Sequence, residues 1–231
     1  MVQRMIQDLR RKANPTKAKC LAKFFKTGPG QYGEGDVFIG LTVPEVRVVA
    51  KKYADASLDD LDRLLADKIH EVRLLGLMIV VLQYERGDAG TKKRIVDFYR
   101  KHFDRVNNWD LVDLTSYKIL GDHLRTRDRA ILKTFAKTNH LWTQRIAIVS
   151  TYAFIREGQF DDTLSIAQIL LTHPHDLIHK AVGWMLREVG KRDQTVLRNF
   201  LDRFAAQMPR TMLRYAIEKM DVAMRKHYMA L

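Results

Sequence analysis

The chain has 231 residues, of which 46% are hydrophobic, so it can bury the core of one large domain or of two small ones. Its formal net charge of +13 favours a polyanionic partner, such as nucleic acid or an acidic membrane surface. Cys20 is the single cysteine, which excludes an intramolecular disulfide and a cysteine-rich zinc site and indicates a reducing environment. The longest apolar run, 74–82, is too short to cross a bilayer, and the N-terminus lacks a signal peptide. We therefore expect a cytoplasmic protein, nucleoid-associated if bacterial, with no membrane partner.

Hydrophobic periodicity predicts helices from the start of the chain, over residues 2–9 and 16–26. The segment 27–36, hereafter the glycine-rich loop, follows the second helix. Three of its four glycines, Gly28, Gly30 and Gly33, fit G-x-G-x-x-G, but no strand precedes them, so we reject a dinucleotide site. A surface connector is the preferred interpretation, and a mobile lid or partner-contacting loop is the alternative. A further helix is predicted over 45–53, with Pro44 in its first turn.

From Ser57 onward the sequence predicts one helix after another, and a similar segment occurs five times. Each segment starts with a polar residue before an apolar helical stretch, and the starts lie 37, 35, 35 and 34 residues apart. These first residues are Arg73, Asp110, Arg145, Lys180 and Arg214. A period of about 35 residues predicts an all-α fold, an α-solenoid of helix pairs that bury their apolar stripes against their neighbours. We predict one such domain over 1–231, with the final helices, 208–231, capping the stack.

The candidate site centres on Trp109 and Asp113, which are four residues apart on a helix with Asn108 as its expected N-cap. At about 100° per residue both side chains face away from an apolar stripe. That stripe comprises Leu111, Val112, Leu114, Thr115 and Ile119. A functional pair is one interpretation; the alternative is an exposed tryptophan over a neighbouring helix, with Asp113 as a local cap.

Trp184 is likewise excluded from the apolar side of its helix, 176–190, and lies on the opposite side among Lys180, Arg187 and Glu188. The second helices of successive pairs line one surface of a solenoid, usually the concave one. We therefore expect both tryptophans, Asp113 and the nearby cations to share a groove. Arg145 lies near the start of the intervening helix, predicted over 143–155, which is apolar nearly all round, so the pattern leaves the direction of Arg145 open.

A basic groove with aromatic platforms and one carboxylate is suited to nucleic acid. Cations would contact phosphates, and each contact should steepen the salt dependence by about 0.9 in log–log slope. Indole rings pack on sugars and bases. A carboxylate is repelled by the phosphate backbone unless the substrate develops positive charge, as a deoxyribose does when its glycosidic bond breaks. Asp113 could stabilise that charge and orient or deprotonate the attacking water.

At these residues the chain resembles the AlkD-like DNA alkylation repair glycosylases, which are built from HEAT-like repeats. The matching segments are Trp109-Asp110-x-x-Asp113, Trp142-Thr-Gln-Arg145-Ile-Ala-Ile and Lys180-Ala-Val-Gly-Trp184-Met-Leu-Arg187-Glu, in order and at repeat spacing. The resemblance implies an alkylpurine glycosylase of base excision repair, and we expect a monofunctional one because no conspicuous nucleophilic lysine lies beside Asp113 in the sequence. Its implied substrates are cationic purines of the 3-methyladenine and 7-methylguanine type in double-stranded DNA. Neither a cofactor nor a metal is implied, and we expect a monomer.

The resemblance also assigns roles to individual residues. It implies that Asp113 is the catalytic carboxylate, that Trp109 and Trp184 contact the sugar, and that Arg145 and Arg187 contact DNA. We add Lys180 as a DNA-binding residue. The chain departs from the family near its start. Phe24 lies nearest to the place where an aromatic hydroxyl is expected, and the glycine-rich loop looks like an insertion.

Two other functions remain open, a non-catalytic nucleic-acid-binding solenoid and a protein-interaction scaffold. The charge of +13 counts against the scaffold. A metal site at His173, His175 and His179 is disfavoured, because Pro174 lies among them and no carboxylate cluster stands at ligand spacing. We expect His70 to be a solvent-facing or capping histidine.

Overall fold

The computed structural model describes residues 1–231, which form helices joined by loops and turns, and the one β-type pairing is an isolated bridge between Val37 and Ile69. The predicted all-α class is therefore confirmed. The α-helices are α1 Val2–Arg10, α2 Pro15–Phe24, α3 Val43–Lys52, α4 Leu58–Leu65, α5 His70–Arg86, α6 Ala89–Lys101, α7 Trp109–Ser116, α8 Asp122–Leu124, α9 Ala130–Ala136, α10 Leu141–Ser150, α11 Tyr152–Ile155, α12 Asp161–Ile169, α13 Asp176–Gly190, α14 Gln194–Phe204, α15 Arg210–Ile217 and α16 Val222–Ala230. A π-helix, Tyr117–Gly121, and a 3₁₀ turn, Ala205–Gln207, complete the set. None of the helices combines the length and the apolar character needed to cross a bilayer.

The contacts divide the chain into two compact units, unit 1 (Met1–Thr115) and unit 2 (Ser116–Leu231). We describe each unit by itself. The single domain over 1–231 stays a prediction.

Unit 1 is built around α5, which α3, α4 and α6 contact. Helix α5 is buried on nearly all sides, as expected for an apolar helix at the centre of a core. Two of the helices that contact α5 begin with a capping interaction. Ser57 caps α4 by accepting the Asp60 N–H at 3.2 Å, and Thr42 and Glu45 form a capping box at the start of α3.

Unit 2 is built around α13, which packs on α10, α14 and α15. The bounds of α13 are those predicted from the sequence, and its predicted apolar side is fully buried. That side comprises Ile178, Val182, Met185, Leu186 and Val189. Trp184 is only half-buried, so the core excludes it as predicted.

Gly183 allows α13 and α15 to approach closely. A Cβ atom at this position would lie 2.5 Å from the Met212 carbonyl oxygen and 2.5 Å from the Tyr215 Cβ. We expect Gly183→Ala to destabilise the protein by about 1–3 kcal/mol, because the backbone of α15 has to move. Gly90→Ala, in the open first turn of α6, is the matched control and should stabilise by about 0.4–1 kcal/mol. Denaturant unfolding measures both, and equal effects would contradict the close packing.

Candidate nucleic-acid interface

Helix α7 presents Trp109 and Asp113 on its solvent side. Asn108 precedes the helix, is fully buried and accepts the Trp109 N–H at 2.8 Å. Trp109 and Asp113 are both half-buried. Of the predicted apolar stripe, Leu111, Val112, Thr115 and Ile119 are fully buried, and Leu114 is half-buried. The division of α7 into a core side and a solvent side is therefore as the sequence indicated.

Trp109 contacts two aromatic rings at the end of α2, Phe24 in its last position and Phe25 directly after it. The Phe25 ring is nearly parallel to the indole, with centroids 5.0 Å apart and an angle of 8°. Phe24 meets the indole edge-on at 5.8 Å, and its side chain is 64% exposed. Phe25 therefore fixes the plane of the indole from the protein side, whereas Phe24 extends the aromatic surface into solvent.

The buried side of α7 is held by a hydroxyl pair beneath Asp113. The Tyr99 hydroxyl lies 2.8 Å from Thr115 Oγ1, and Thr115 donates in turn to the Leu111 carbonyl. Burial, and to a lesser extent the charge of Asp113, raises the pKa of Tyr99, although the hydrogen bond with Thr115 opposes the rise. Tyr99 is thus a neutral support, and the ionisable group on the open side of α7 is the carboxylate of Asp113.

Behind Trp109 lies a buried ionic group that the sequence pattern did not reveal. We call it the His70 cluster, and it comprises Asp36, His70, Arg73, Asn108 and Asp110. The expectation of a solvent-facing or capping His70 is wrong, because its side chain is 2% exposed and lies between two carboxylates. Its partners lie 34 and 40 residues away along the chain, so no local motif could have identified them.

In unit 2, Trp184 lies beside other aromatic rings. Its ring centroid is 6.1 Å from that of Tyr152, and Tyr152 meets Tyr117 edge-on at 5.2 Å. The Arg192 guanidinium carbon lies 5.9 Å from the Tyr152 ring centroid. Tyr117 begins the π-helix, a rare element that is frequent at functional sites. Proteins bind single-stranded or distorted nucleic acid with aromatic faces that lie next to a cation, as they do here.

The three predicted DNA-binding cations differ in burial. The side chain of Lys180 is 40% exposed and its Nζ lies 2.7 Å from Asp176 Oδ2. Arg187 is largely covered and forms an ion pair with Glu218, the residue directly after α15. Arg145 is buried, and its guanidinium donates to the Leu177 carbonyl in the first turn of α13. Contact of these residues with DNA, and a groove shared with Asp113 and Trp109, stay predictions.

The three histidines near the start of α13 form hydrogen bonds within the protein. His175 accepts the Leu177 N–H at 3.1 Å and so caps the helix, while its own N–H donates to His173 at 3.0 Å. His173 also pairs with Gln144 at 2.9 Å. No group of three or more His, Cys, Asp or Glu side chains is arranged to hold a metal ion.

These features define a class of protein: an all-α helical protein of high positive charge, in which both units keep a tryptophan outside the core. A family model described as "DNA alkylation repair enzyme" matches residues 5–220, and the chain therefore belongs to this family. Membership confirms the family that the sequence motifs predicted. It makes DNA the expected partner and alkylation repair the class of function.

A comparison with solved structures supports the fold. A predicted DNA alkylation repair enzyme from Enterococcus faecalis aligns with a TM-score of 0.71, over 91% of this chain and 97% of that one. The identity is 16%, so the similarity concerns the fold, and it confirms the helical-repeat class predicted from the period of about 35 residues. The comparison with curated proteins found no match.

Proposed function

We propose that this chain is a monofunctional DNA glycosylase. Its substrates are N-alkylated, cationic purines of the 3-methyladenine and 7-methylguanine type in duplex DNA, and it hydrolyses the bond between base and sugar. One observation carries the proposal: α7 presents a half-buried tryptophan and a half-buried carboxylate, Trp109 and Asp113, side by side and away from the core. They do so in a chain of a DNA alkylation repair family.

The proposed chemistry uses the charge of Asp113. An N-alkylated purine leaves as a neutral base, and the sugar is left with oxocarbenium character. A carboxylate stabilises that positive charge, and it can orient or deprotonate the water that adds to the sugar. The Trp109 indole supplies an apolar face for the sugar, and Phe25 holds the plane of that face. In the proposal Trp184 provides a second aromatic face, and Arg187 and Lys180 contact the DNA backbone. Arg145 joins them once its guanidinium leaves the Leu177 carbonyl.

The test is base release from methylated duplex DNA. Duplex treated with a methylating agent is incubated with the full chain, the DNA is precipitated, and the supernatant is separated by chromatography. We expect free 7-methylguanine or 3-methyladenine in excess of a protein-free control. Salt-sensitive duplex binding without base release would overturn the proposal and favour a non-catalytic nucleic-acid-binding protein, for which the charge of +13 is the supporting observation.

Lys180 allows a second test, because the chain contains a matched control. We expect Lys180→Gln to reduce the log–log salt slope of duplex binding by about 0.9, as one phosphate contact is lost. Lys93→Gln removes a lysine from a similar pair, since Lys93 lies 2.9 Å from Asp97, four residues away on α6. Fluorescence anisotropy at several salt concentrations measures both slopes. Equal slopes for the two variants would show that Lys180 does not contact the DNA.

A further inference from the structure

The His70 cluster holds its imidazole between two buried carboxylates. His70 Nδ1 lies 3.2 Å from Asp36 Oδ2, and Nε2 lies 2.8 Å from Asp110 Oδ2. Arg73 donates to Asp36 at 2.6 Å, and the Asn108 side chain donates to the same carboxylate at 3.1 Å. All of these groups come from unit 1.

The geometry fixes the protonation state of His70. An ionised carboxylate only accepts hydrogen bonds, so both ring nitrogens must carry a proton to bond with both partners. His70 is then an imidazolium, and with Arg73 it balances the two charges of Asp36 and Asp110. Burial opposes this charge, but the charge of Asp110 and the bonds to Asp110 and Asp36 outweigh burial and raise the pKa of His70 to about 9. Burial would likewise raise the pKa of Asp36, yet its bonds and charged neighbours hold it below the usual value.

The cluster is connected to Trp109 by two routes. Along the backbone, Asp110 follows Trp109 directly in the first turn of α7. Through the rings, His70 stacks on Phe38 at 4.6 Å, Phe38 stacks on Phe25 at 4.9 Å, and Phe25 stacks on Trp109 at 5.0 Å. The first turn of α7 and the rings behind the indole therefore both contact the His70 cluster.

The glycine-rich loop is part of this assembly. Asp36 ends the loop, and Gly33 lies so close to the end of α2 that a Cβ there would be 2.4 Å from the Phe25 carbonyl oxygen. The Gly33 N–H donates to the Lys26 carbonyl at 3.2 Å. The loop therefore packs at Gly33 against the end of α2, next to Phe25, and contacts the His70 cluster through Asp36.

We propose that His70 and Asp36 are positioning residues for Trp109, and that the glycine-rich loop is a fixed wall behind the site. This proposal rests on the proposed function, in which Trp109 contacts the sugar. The two carboxylates pull the loop and the first turn of α7 onto one imidazolium, and that sets the plane of the indole. The loop is then neither a mobile lid nor a plain connector.

A dependence on pH follows, with a definite sign. His70 binds its proton more tightly in the folded protein than in the unfolded chain, since its pKa rises from 6.5 to about 9. The stabilisation that His70 contributes through its raised pKa is complete below pH 6.5 and is lost as the pH rises through about 9. Asp36, Asp110 and Arg73 are the charged groups that contact His70 or its partners within the cluster.

Tryptophan fluorescence of the DNA-free protein between pH 6.5 and 10 tests the positioning role. We expect a transition with a midpoint at about 9, and it should be absent in Trp109→Phe. Asp36→Asn removes one carboxylate from the imidazolium and should lower the midpoint by about 1–2 pH units. Asp62→Asn is the matched control, because Asp62 pairs with another buried histidine, His102, at 2.7 Å. The control should leave the midpoint unchanged.

Base release gives a second readout. Relative to wild type, Asp36→Asn should lose more activity at pH 8.5 than at pH 6.5, whereas Asp62→Asn should lose equal fractions at both. A flat wild-type fluorescence titration, or an unshifted midpoint in Asp36→Asn, would overturn the positioning role. If wild type releases no base at any pH, the glycosylase proposal fails, and the fluorescence result still decides whether the cluster sets the position of Trp109.

Discussion

Replacement of Asp113 by Asn is expected to slow base release by about 10²–10⁴-fold, the range that one positioned acid–base group contributes. The change keeps the size of the side chain, removes its charge and replaces one acceptor oxygen with an NH₂ donor. Because Asp113 is half-buried on the solvent side of α7, the fold should tolerate the amide. Duplex affinity should stay close to wild type or rise slightly, since a carboxylate next to phosphates is repelled in the ground state.

Single-turnover release of 7-methylguanine and anisotropy with the same duplex separate the two effects. Asp104→Asn provides the control: it removes one exposed carboxylate of unit 1, which lies 3.1 Å from Arg105, and should change neither quantity. Full activity in Asp113→Asn would exclude this carboxylate from the mechanism. A parallel loss of affinity and rate would instead assign it to DNA binding.

The modest contribution of one carboxylate also limits the range of possible substrates. One carboxylate supplies only part of the barrier to hydrolysis of a glycosidic bond, so the bond has to be weak already. A cationic alkylpurine satisfies this condition because its base leaves as a neutral molecule, whereas unmodified guanine does not. The proposed chemistry therefore places selectivity in the reactivity of the lesion, and the protein needs to stabilise the sugar more than it needs to enclose the base.

Local patterns in the sequence predicted the helices well. The bounds of α13 follow from its apolar period, and the two sides of α7 follow from five residues at helical spacing. Helix α2 ends at Phe24, two residues before the prediction, and Lys26 adopts a left-handed backbone conformation with φ 52° beyond that end. The long helix predicted near 143–155 divides into α10 and α11, which an unbroken apolar pattern could not show.

Features that depend on distant residues were not predictable. Arg145 lies in a helix that is buried all round, so periodicity gave no direction, and its contact with Leu177 joins residues 32 apart. His70 looked like a polar residue at a helix start, because its two carboxylate partners belong to other elements. Such contacts form only after the helices pack. The roles expected for residues of the candidate site therefore came from the family motifs, whereas the residues that hold the site in place became visible only in the structure.

Glu71 gives the largest expected effect on stability. Its carboxylate is buried and accepts the N–H groups of three consecutive residues, Ile39 at 3.1 Å, Gly40 at 2.8 Å and Leu41 at 3.2 Å. Three amides that converge on one anion form strong, charge-assisted hydrogen bonds. Glu71→Gln removes the charge and places an NH₂ donor where Oε2 now lies, 3.1 Å from the Ile39 N–H, which can only donate. We expect a loss of about 3 kcal/mol, because three buried hydrogen bonds lose the charge of their acceptor and the Ile39 N–H faces a second donor.

For a chain of this length that loss corresponds to a Tm lower by about 6–12 °C, which thermal unfolding by circular dichroism would measure. Glu34→Gln is the control, because Glu34 accepts one exposed amide, that of Gly30 at 2.8 Å, and should change Tm by about 1–2 °C at most. Hydrogen exchange at Gly40 and Leu41 adds a local readout, since their amides should exchange faster in Glu71→Gln. Equal Tm values for the two variants, with unchanged exchange, would mean that water satisfies these amides as well as the carboxylate does. Segment 39–41 leads from the glycine-rich loop into α3, so the anchor formed by Glu71 also supports the wall behind Trp109.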